Sequence, residues 1–229
     1  MNLRTKLEEV RQEYLRRMTR GHLPLLREVE DYVTSHDGKM LRPRLTLLAA
    51  AERGEAHFDS RRTLLAATCV EMLHNVSLLH DDVIDKAETR RATASVNARW
   101  GNGVAVLVGD YLLAQIMQLL DEIDDSAAAR RINSTVTAMV EAELLNQQVI
   151  GGEALTRDTY LAIIDGKTAR LFATAAALGN PDYEDFGLHY GRLFQLRDDQ
   201  ADGESTPFTD ALIEEEEQIL GRIATLDMQ

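Results

Sequence analysis

The sequence predicts an all-α protein, a single-domain helical bundle that spans residues 1–229. Apolar residues recur every three or four positions in one stretch after another, as they do on the buried face of an amphipathic helix. No stretch keeps the two-residue alternation of a half-buried strand, and only four prolines interrupt the chain. Apolar residues make up 45% and charged residues 28%, a composition ordinary for a globular protein, and no interdomain linker is visible.

The first helices have recognisable starts and stops. Leu3 to Met18 carries apolar residues at helical spacing, and Pro24 opens a second helix. Gly38 is a stop signal for that helix, and Pro43 can begin a third. The pattern therefore predicts three short helices before residue 53.

The central helix and its successors follow the same pattern. Either Asp59 or Ser60 can cap the central helix, whose stretch is followed as far as Arg91. A loop or broken helix is predicted over 92–103, and helices over 104–120 and 131–149. Thr156 can cap a helix through residue 172, and another ends near residue 202. Pro207 starts a last helix that is predicted to be short.

An acidic cluster interrupts the otherwise apolar central helix. Asp81, Asp82 and Asp85 stand at i, i+1 and i+4, which places them within roughly a quarter turn of one another. His74 lies seven residues earlier on nearly the same face. Three carboxylates together fit a packed interior poorly but suit Mg²⁺, which takes oxygen ligands and completes its shell with water and phosphate.

The acidic spacing DDxxD occurs twice. Asp198, Asp199 and Asp202 repeat it about 115 residues later. One copy alone could be a solvated helix end, but two copies on facing helices would make a cage for several Mg²⁺ ions and a diphosphate. Arg90 and Arg91 end the first acidic stretch, where guanidinium groups can bind phosphate in a bidentate way.

These motifs together resemble the trans-isoprenyl diphosphate synthase (polyprenyl synthetase) family. Two aspartate-rich motifs are that family's hallmark, and GKMLRP at Gly38–Pro43 is similar to its GKxxRP motif. Asn97–Asp110 resembles the segment that follows the first motif, and DGKTARLF contains the family's Lys-Thr pair. The wording around LLHDDVID and VLVGD resembles most closely the longer-chain bacterial members. The resemblance implies a bundle whose central cavity is flanked by the two DDxxD helices.

The resemblance implies a role for each motif residue. It implies that Lys39, Arg42, His74 and Arg91 bind isopentenyl diphosphate. It implies that Arg90, Lys167 and Thr168 contact the allylic diphosphate, with Gln195 as a further substrate-binding residue. The implied Mg²⁺ ligands, direct or through water, are Asp81, Asp82, Asp85, Asp198, Asp199 and Asp202. The implied catalytic set is Asp81, Asp82, Asp85, Lys167, Asp198 and Asp199.

The implied activity is Mg²⁺-dependent condensation of isopentenyl diphosphate with an allylic diphosphate to a trans-polyprenyl diphosphate. Val76 and Ser77, about one turn before the aspartates, point down the implied product cavity. Because neither is aromatic, we expect products longer than C15. Surface charge remains the alternative interpretation for Lys39 and Arg42 when taken alone, and snorkelling at the surface remains one for Lys167.

The chain departs from the family in two places. Ala92 stands where the family usually has glycine after its Arg-Arg pair, and the sequence after Asp202 is much shorter than in the family. A C-terminally truncated domain favours a second hypothesis, a non-catalytic or partner-dependent subunit of a heteromeric synthase. A class I terpene cyclase is a weaker alternative because it lacks the signals for a second diphosphate. A homodimer is expected from the resemblance alone.

Charge and cysteine content exclude several other classes. The net charge of −13 argues against nucleic-acid binding, which depends on basic surface. Cys69, the single cysteine, lies in an apolar run and predicts a buried, inert thiol. No apolar run approaches the roughly 20 residues that span a bilayer, so a cytoplasmic protein that is not transmembrane is expected. Glu141, Glu143 and Gln147 are interpreted as charged helix surface rather than as cavity lining. Asp110 is either a capped buried polar group or part of the site, and the resemblance favours a structural or supporting role.

Overall fold

The structure is a computed structural model that describes residues 1–35 and 38–226. It confirms the all-α fold, to which it adds one two-stranded hairpin. The helices are α1 (Leu3–Met18), α2 (Pro24–Thr34), α3 (Leu41–Glu52), α4 (Glu55–Phe58), α5 (Arg61–Ile84), α6 (Val96–Trp100), α7 (Asn102–Ile123), α8 (Ser126–Ile150), α9 (Arg157–Ile164), α10 (Arg170–Gly179), α11 (Glu184–Asp202) and α12 (Thr209–Leu226). A short 3₁₀ turn, Pro181–Tyr183, precedes α11.

The central helix α5 forms the middle of the bundle. Ser60 is its N-cap and its side chain accepts a hydrogen bond from the Thr63 amide, which decides between the two predicted caps. Most of α5 is buried, and α1, α3, α7 and α10 pack around it. Cys69 is among its buried residues, and burial raises the pKa of the thiol to about 12, which confirms the predicted inert cysteine.

A hairpin over residues 89–94 follows α5; its first strand lies in the stretch assigned to the central helix, and its second lies in the segment 92–103 predicted as a loop or broken helix. Strand β1 (Thr89–Arg90) pairs antiparallel with β2 (Thr93–Ala94), and the two residues between them have positive φ, 51° at Arg91 and 62° at Ala92. Two-residue hairpin turns with positive φ at both positions favour glycine or asparagine. Ala92, where the family usually has glycine, therefore sits in a conformation that costs a non-glycine residue about 1–2 kcal/mol.

A π-helical turn separates α9 from α10 where the sequence predicted one continuous helix. It covers Asp165–Ala169 and includes the Lys-Thr pair. A methyl group on Gly166 would lie 2.2 Å from the Cβ of Ala142 and 2.6 Å from the carbonyl oxygen of Ala138. The turn is thus pressed against α8, and the glycine makes that close approach possible. Single π turns inside α-helices are frequent at functional sites.

Helices α3, α10 and α11 pack through small side chains. Most of α10 is buried, and its sequence RLFATAAALG contains four alanines. A methyl group on Gly179 would lie 2.2 Å from the Thr46 carbonyl oxygen of α3. The backbones of these helices therefore approach closely, without room for larger side chains.

The last helix, α12, is longer than the sequence predicted and is built into the bundle. Leu212 is buried in a cluster with Tyr160 of α9 and Leu196 of α11. Thr209 and Glu216 are buried as well. This helix therefore covers one end of α9 and α11 rather than standing off as a solvated tail.

Helix α7 corrects one sequence interpretation. It has 22 residues and is long and apolar enough to span a bilayer by length and composition alone. Val108, Leu112 and Ile116 of α7 belong to the main core around α5. A core helix passes the same test, so this property of α7 is weak evidence for a membrane.

Candidate active site

One cleft of about 700 Å³ brings most of the predicted site residues together. It is lined by residues of α3, α5, α11, the hairpin and the π turn. The predicted site residues that line it are Lys39, Arg42, His74, Asp81, Arg90, Arg91, Lys167, Thr168, Gln195 and Asp198. The remaining four, Asp82, Asp85, Asp199 and Asp202, do not line it. Residues far apart in sequence thus converge on one concave surface with cations and carboxylates on it.

Two groups on the basic wall of the cleft, Arg42 and His74, are largely removed from water, whereas Lys39 and Arg91 are exposed. Arg42 is 8% exposed and stacks over the Phe172 ring, with its guanidinium carbon 4.4 Å from the ring centroid. Burial lowers its pKa to about 10, which Glu71 partly opposes, and its Nε has no hydrogen-bond partner in the described part of the chain. Burial, together with Arg42 and Arg91, lowers the pKa of His74 well below its usual value. The wall therefore offers an arginine and a neutral imidazole to an anion.

Asp81 is the partly buried carboxylate of the first motif in the cleft. Burial raises its pKa to about 6, against the opposing effect of Lys167, and Glu143 and Asp85 raise it further. Asp198 of α11 lines the same cleft and is exposed. The first and second motifs therefore face one cavity through one aspartate each.

Two of the six predicted metal ligands are engaged by protein donors. Asp82 is 3% exposed and accepts a hydrogen bond from Arg90 Nε at 2.8 Å. Asp199 accepts from the Tyr160 hydroxyl at 2.5 Å and from Gln195 Nε2 at 2.6 Å. Both carboxylates are thus held by protein donors in this structure, and their role as metal ligands, direct or through water, stays a prediction.

The acids that line the cleft decide whether the implied Mg²⁺ fits the site. Within residues 1–35 and 38–226, no three His, Cys, Asp or Glu side chains come close enough to form a metal-binding group. Asp81 and Asp198 nevertheless share the cleft, and burial, the main cause of the raised pKa of Asp81, leaves its carboxylate with little water to stabilise the charge. Mg²⁺ needs only one or two protein carboxylates when phosphate oxygens complete its shell, so the donors present fit this ion.

Lys167 extends from the π turn into the cleft and pairs with Glu143, which the sequence analysis interpreted as helix surface. Its Nζ lies 2.5 Å from Glu143 Oε2, and Glu143 is 9% exposed. Burial tends to lower the pKa of Lys167, but the ion pair outweighs it, so this pKa is raised. Glu143 is therefore a buried partner of the site, not charged helix surface. The sequence around Glu143 does not indicate this burial, because the partner that buries it, Lys167, lies in the π turn.

The hydroxyl and amide groups beside Lys167 form a chain of hydrogen bonds. Thr168 donates to Gln195 Oε1 at 2.6 Å, and Gln195 in turn donates to Asp199. The Tyr160 hydroxyl lies 3.3 Å from Thr209 Oγ1 of α12. The Lys-Thr pair is thereby connected to the second acidic motif and to α12.

A second, largely apolar cavity of about 410 Å³ lies between α5, α7 and α8. It shares Ser77, Asp81 and Lys167 with the cleft, so the two spaces meet at the acidic motif. Val76 also lines this cavity, so Val76 and Ser77 both face it, as the sequence predicted. The remaining lining includes Leu73, Leu113, Val136, Met139, Val140 and Leu144.

A histidine and an aspartate add a polar pair to the lining of this largely apolar cavity. His80 Nε2 lies 3.6 Å from Asp110 Oδ1, and both residues line the cavity. A methyl group on Gly109 would lie 2.2 Å from His80 Nε2, so the glycine makes room for the imidazole. Asp110 is mostly exposed and is a cavity residue rather than a capped buried group.

Comparison with known proteins identifies the family. The family model "Polyprenyl synthetase" matches residues 23–210. The all-trans-nonaprenyl-diphosphate synthase (geranyl-diphosphate specific) of Rhodobacter capsulatus is 38% identical over 78% of this chain and 57% of its own length. The heptaprenyl diphosphate synthase component 2 of Bacillus subtilis (strain 168) is 31% identical over 81% of this chain and 60% of its own.

Solved structures agree with these matches. The decaprenyl diphosphate synthase from Rhodobacter capsulatus has a TM-score of 0.81 at 33% identity, covering 86% of this chain and 63% of that one. The polyprenyl synthase from Caulobacter crescentus CB15, complexed with calcium and isoprenyl diphosphate, has a TM-score of 0.78 at 30% identity, covering 86% and 62%. This chain thus spans about three fifths of the length of the curated relatives that it matches. The chain belongs to the polyprenyl synthetase family.

Proposed function

We propose that this chain is a Mg²⁺-dependent trans-prenyltransferase that condenses isopentenyl diphosphate with an allylic diphosphate to a trans-polyprenyl diphosphate longer than C15. The observation that carries the proposal is the cleft itself. Its cationic wall faces two motif aspartates, and it opens beside Asp81 into an apolar cavity. One part suits diphosphates and the other a growing prenyl chain.

The reaction we propose has three steps: the allylic carbon–oxygen bond ionises to an allylic cation and diphosphate, the cation forms a carbon–carbon bond with the double bond of isopentenyl diphosphate, and the released diphosphate takes the proton that is eliminated. Lys39, Arg42 and Arg91 orient isopentenyl diphosphate, so that its double bond faces the allylic carbon, and this positioning lowers the entropic barrier. His74 donates a hydrogen bond to the same diphosphate as a neutral imidazole. The apolar cavity walls exclude water that would otherwise capture the allylic cation.

The allylic diphosphate is bound in this proposal by Arg90, Lys167 and Thr168. Lys167 can move from Glu143 to a phosphate oxygen, and Gln195 keeps the Thr168 hydroxyl in place. Bound Mg²⁺ supplies Lewis-acid and electrostatic assistance to the departing diphosphate. Asp81 and Asp198 are its proposed ligands in the cleft, joined by Asp85 and Asp202, while Asp82 and Asp199 orient Arg90 and Gln195.

An assay of the purified chain tests this function. It combines isopentenyl diphosphate, MgCl₂ and an allylic primer of five, ten or fifteen carbons, and the products are sized. We expect products longer than C15 that disappear when EDTA is added. No product from a folded chain with any primer would contradict stand-alone activity.

A partner-dependent subunit is the second candidate function. The chain spans about three fifths of its relatives' length, and one relative is named as component 2 of its synthase. In this case the assay yields products only after a second synthase chain is added. The two candidates are thus separated by the same measurement.

We also propose that the chain forms a homodimer through α7 and α8. Both helices expose large apolar side chains, among them Leu107 at 70% and Met117 at 64% on α7 and Leu144 at 62% on α8. Soluble proteins rarely expose apolar side chains in such a group without a partner. We further propose a cytoplasmic location and one domain for the chain, which the packing of α7 in the core supports.

Light scattering tests the dimer. The chain has a mass of 25.6 kDa, and we expect about twice this value in solution. Leu107→Glu combined with Met117→Glu should give monomers, because each buried charge without a partner costs several kcal/mol. Leu23→Glu, at another exposed leucine, is the control and should stay dimeric. A monomer mass for the unmodified chain would contradict the proposal.

A further inference from the structure

A buried group of charged residues joins the last helix to the π turn. Arg192 of α11 binds Asp165 with two hydrogen bonds, Nε to Oδ1 at 2.5 Å and Nη2 to Oδ2 at 2.8 Å. The third nitrogen, Nη1, lies 3.2 Å from Glu216 Oε1 of α12. His189 Nδ1 lies 2.5 Å from the other oxygen of Glu216. We call these four residues the α12 clamp.

The α12 clamp connects the π turn, which lies inside the family match, to a residue of α12 that lies outside it. Asp165 is the first residue of the π turn, which carries Lys167 and Thr168 into the cleft. Glu216 lies beyond residue 210, where the family match ends. The turn that bears two of the proposed substrate contacts is thus held by a helix of which the family match covers only the first two residues, Thr209 and Asp210.

The low exposure of the clamp makes the loss of any one of its charges costly. The side chain of Glu216 is 4% exposed and that of Arg192 is 20% exposed. Removing one partner of such an ion pair destabilises the folded protein, because the other charge stays buried without a partner. The bidentate fork of Arg192 also fixes the orientation of Asp165, which a lysine could not do.

A π turn depends on such support. Its hydrogen bonds differ from those of the helices on both sides, so neighbouring groups select it over a continuous α-helix. Gly166 presses one side of the turn against α8, and the clamp holds its first residue from α11 and α12. Without the clamp, we expect the turn to return toward a regular α-helix, which would point Lys167 and Thr168 differently relative to the cleft.

We infer that Arg192 and Glu216 are positioning residues that hold the π turn so that Lys167 and Thr168 face a diphosphate in the cleft. This inference rests on the proposed function for its ligand, but its structural half is independent of it. The clamp residues do not line the cleft themselves. They act only through Asp165 and the turn.

Adjacent glutamates on α12 give a matched pair of variants. Glu216→Gln weakens the clamp, whereas Glu217→Gln weakens an exposed ion pair with Arg197 between the same two helices. Two readouts apply to both: calorimetric binding of inorganic pyrophosphate with MgCl₂, and hydrogen exchange of a peptide covering residues 160–172. For Glu216→Gln we expect pyrophosphate binding weaker by about three- to tenfold and faster exchange in the peptide. Glu217→Gln should change neither.

The two readouts separate the possible failures. Pyrophosphate affinity and exchange in Glu216→Gln that match the unmodified chain would overturn the inference. If Glu216→Gln does not fold, Arg192→Lys replaces it, because it keeps the charge and removes only the bidentate geometry. If the unmodified chain binds no pyrophosphate, the proposed function fails, and the exchange comparison still decides whether the clamp holds the turn.

Discussion

Asp81→Asn is expected to abolish most activity and at the same time to stabilise the protein without added metal. The carboxylate lies in the cleft beside the apolar cavity, where the proposed function places a cation and a diphosphate. Removing one electrostatic contact of this kind typically lowers kcat by about 10²–10³-fold. Steady-state kinetics with saturating MgCl₂ measure this loss.

The stabilisation follows from the raised pKa of Asp81. Because this pKa is about 6 in the folded chain against 3.8 in the reference state, ionisation of Asp81 disfavours folding. The cost develops between about pH 4 and pH 6 and stays constant above, so neutral asparagine gains about 1–3 kcal/mol at pH 7. A gain of this size raises Tm by several degrees in a chain of this length. The gain should vanish below about pH 3, where the Asp81 carboxyl is protonated in both the folded and the unfolded chain.

A surface aspartate provides the control for this variant. Asp124 ends α7 in a left-handed conformation, which asparagine also accepts, and it is exposed. Asp124→Asn should therefore keep both activity and Tm. An Asp81→Asn protein with a tenth or more of the original activity would remove Asp81 from the proposed mechanism.

Ser77→Phe is expected to shorten the products. Ser77 lies at the junction of the cleft and the apolar cavity, one turn before Asp81, so a phenyl ring there occupies space that the growing chain needs. Val76→Phe should act in the same direction deeper in the cavity. Because Val76 is 2% exposed and belongs to the main core, overpacking there adds a cost of about 1–3 kcal/mol. Mass spectrometry of the products formed from each primer measures their length.

Another serine serves as the control for chain length. Ser126 is the exposed first residue of α8, at a distance in sequence from the cavity-lining part of that helix. Ser126→Phe adds the same ring outside the cavity and should leave product length unchanged. If Ser77→Phe and Val76→Phe both give the original product lengths, the apolar cavity is not where the chain grows.

The sequence predicted those parts of the site that depend on local spacing. The helical face of Asp81, the cap at Ser60 and the approach of GKMLRP to the acidic helix all follow from short-range rules and from the family resemblance. The direction of Asp82 does not, because it is decided by Arg90 on a hairpin that the sequence did not predict. Helical periodicity gives the face of a residue but not the partner that tertiary structure brings to it.

The π turn is the other limit of sequence reasoning. A pattern with a period of 3.6 residues assumes a regular helix, so one extra residue per turn at Asp165–Ala169 leaves no visible sign. Two consequences were missed for this reason: the burial of Glu143 against Lys167, and the contact of Asp165 with Arg192. Both join residues at least 24 positions apart, which no local rule covers.

The close packing of α3, α10 and α11 has a consequence for how this protein can change. At Gly179, added side-chain atoms would collide with backbone of α3, so substitutions on this side are expected to cost stability before they alter the cavity. The cavity walls from α7 and α8 consist of larger side chains such as Leu113, Met139 and Leu144. Substitution of these by apolar residues of another size is expected to be tolerated better. In the proposed function, variation of product length is therefore expected at these α7 and α8 positions, whereas α3, α10 and α11 are constrained by their own close packing.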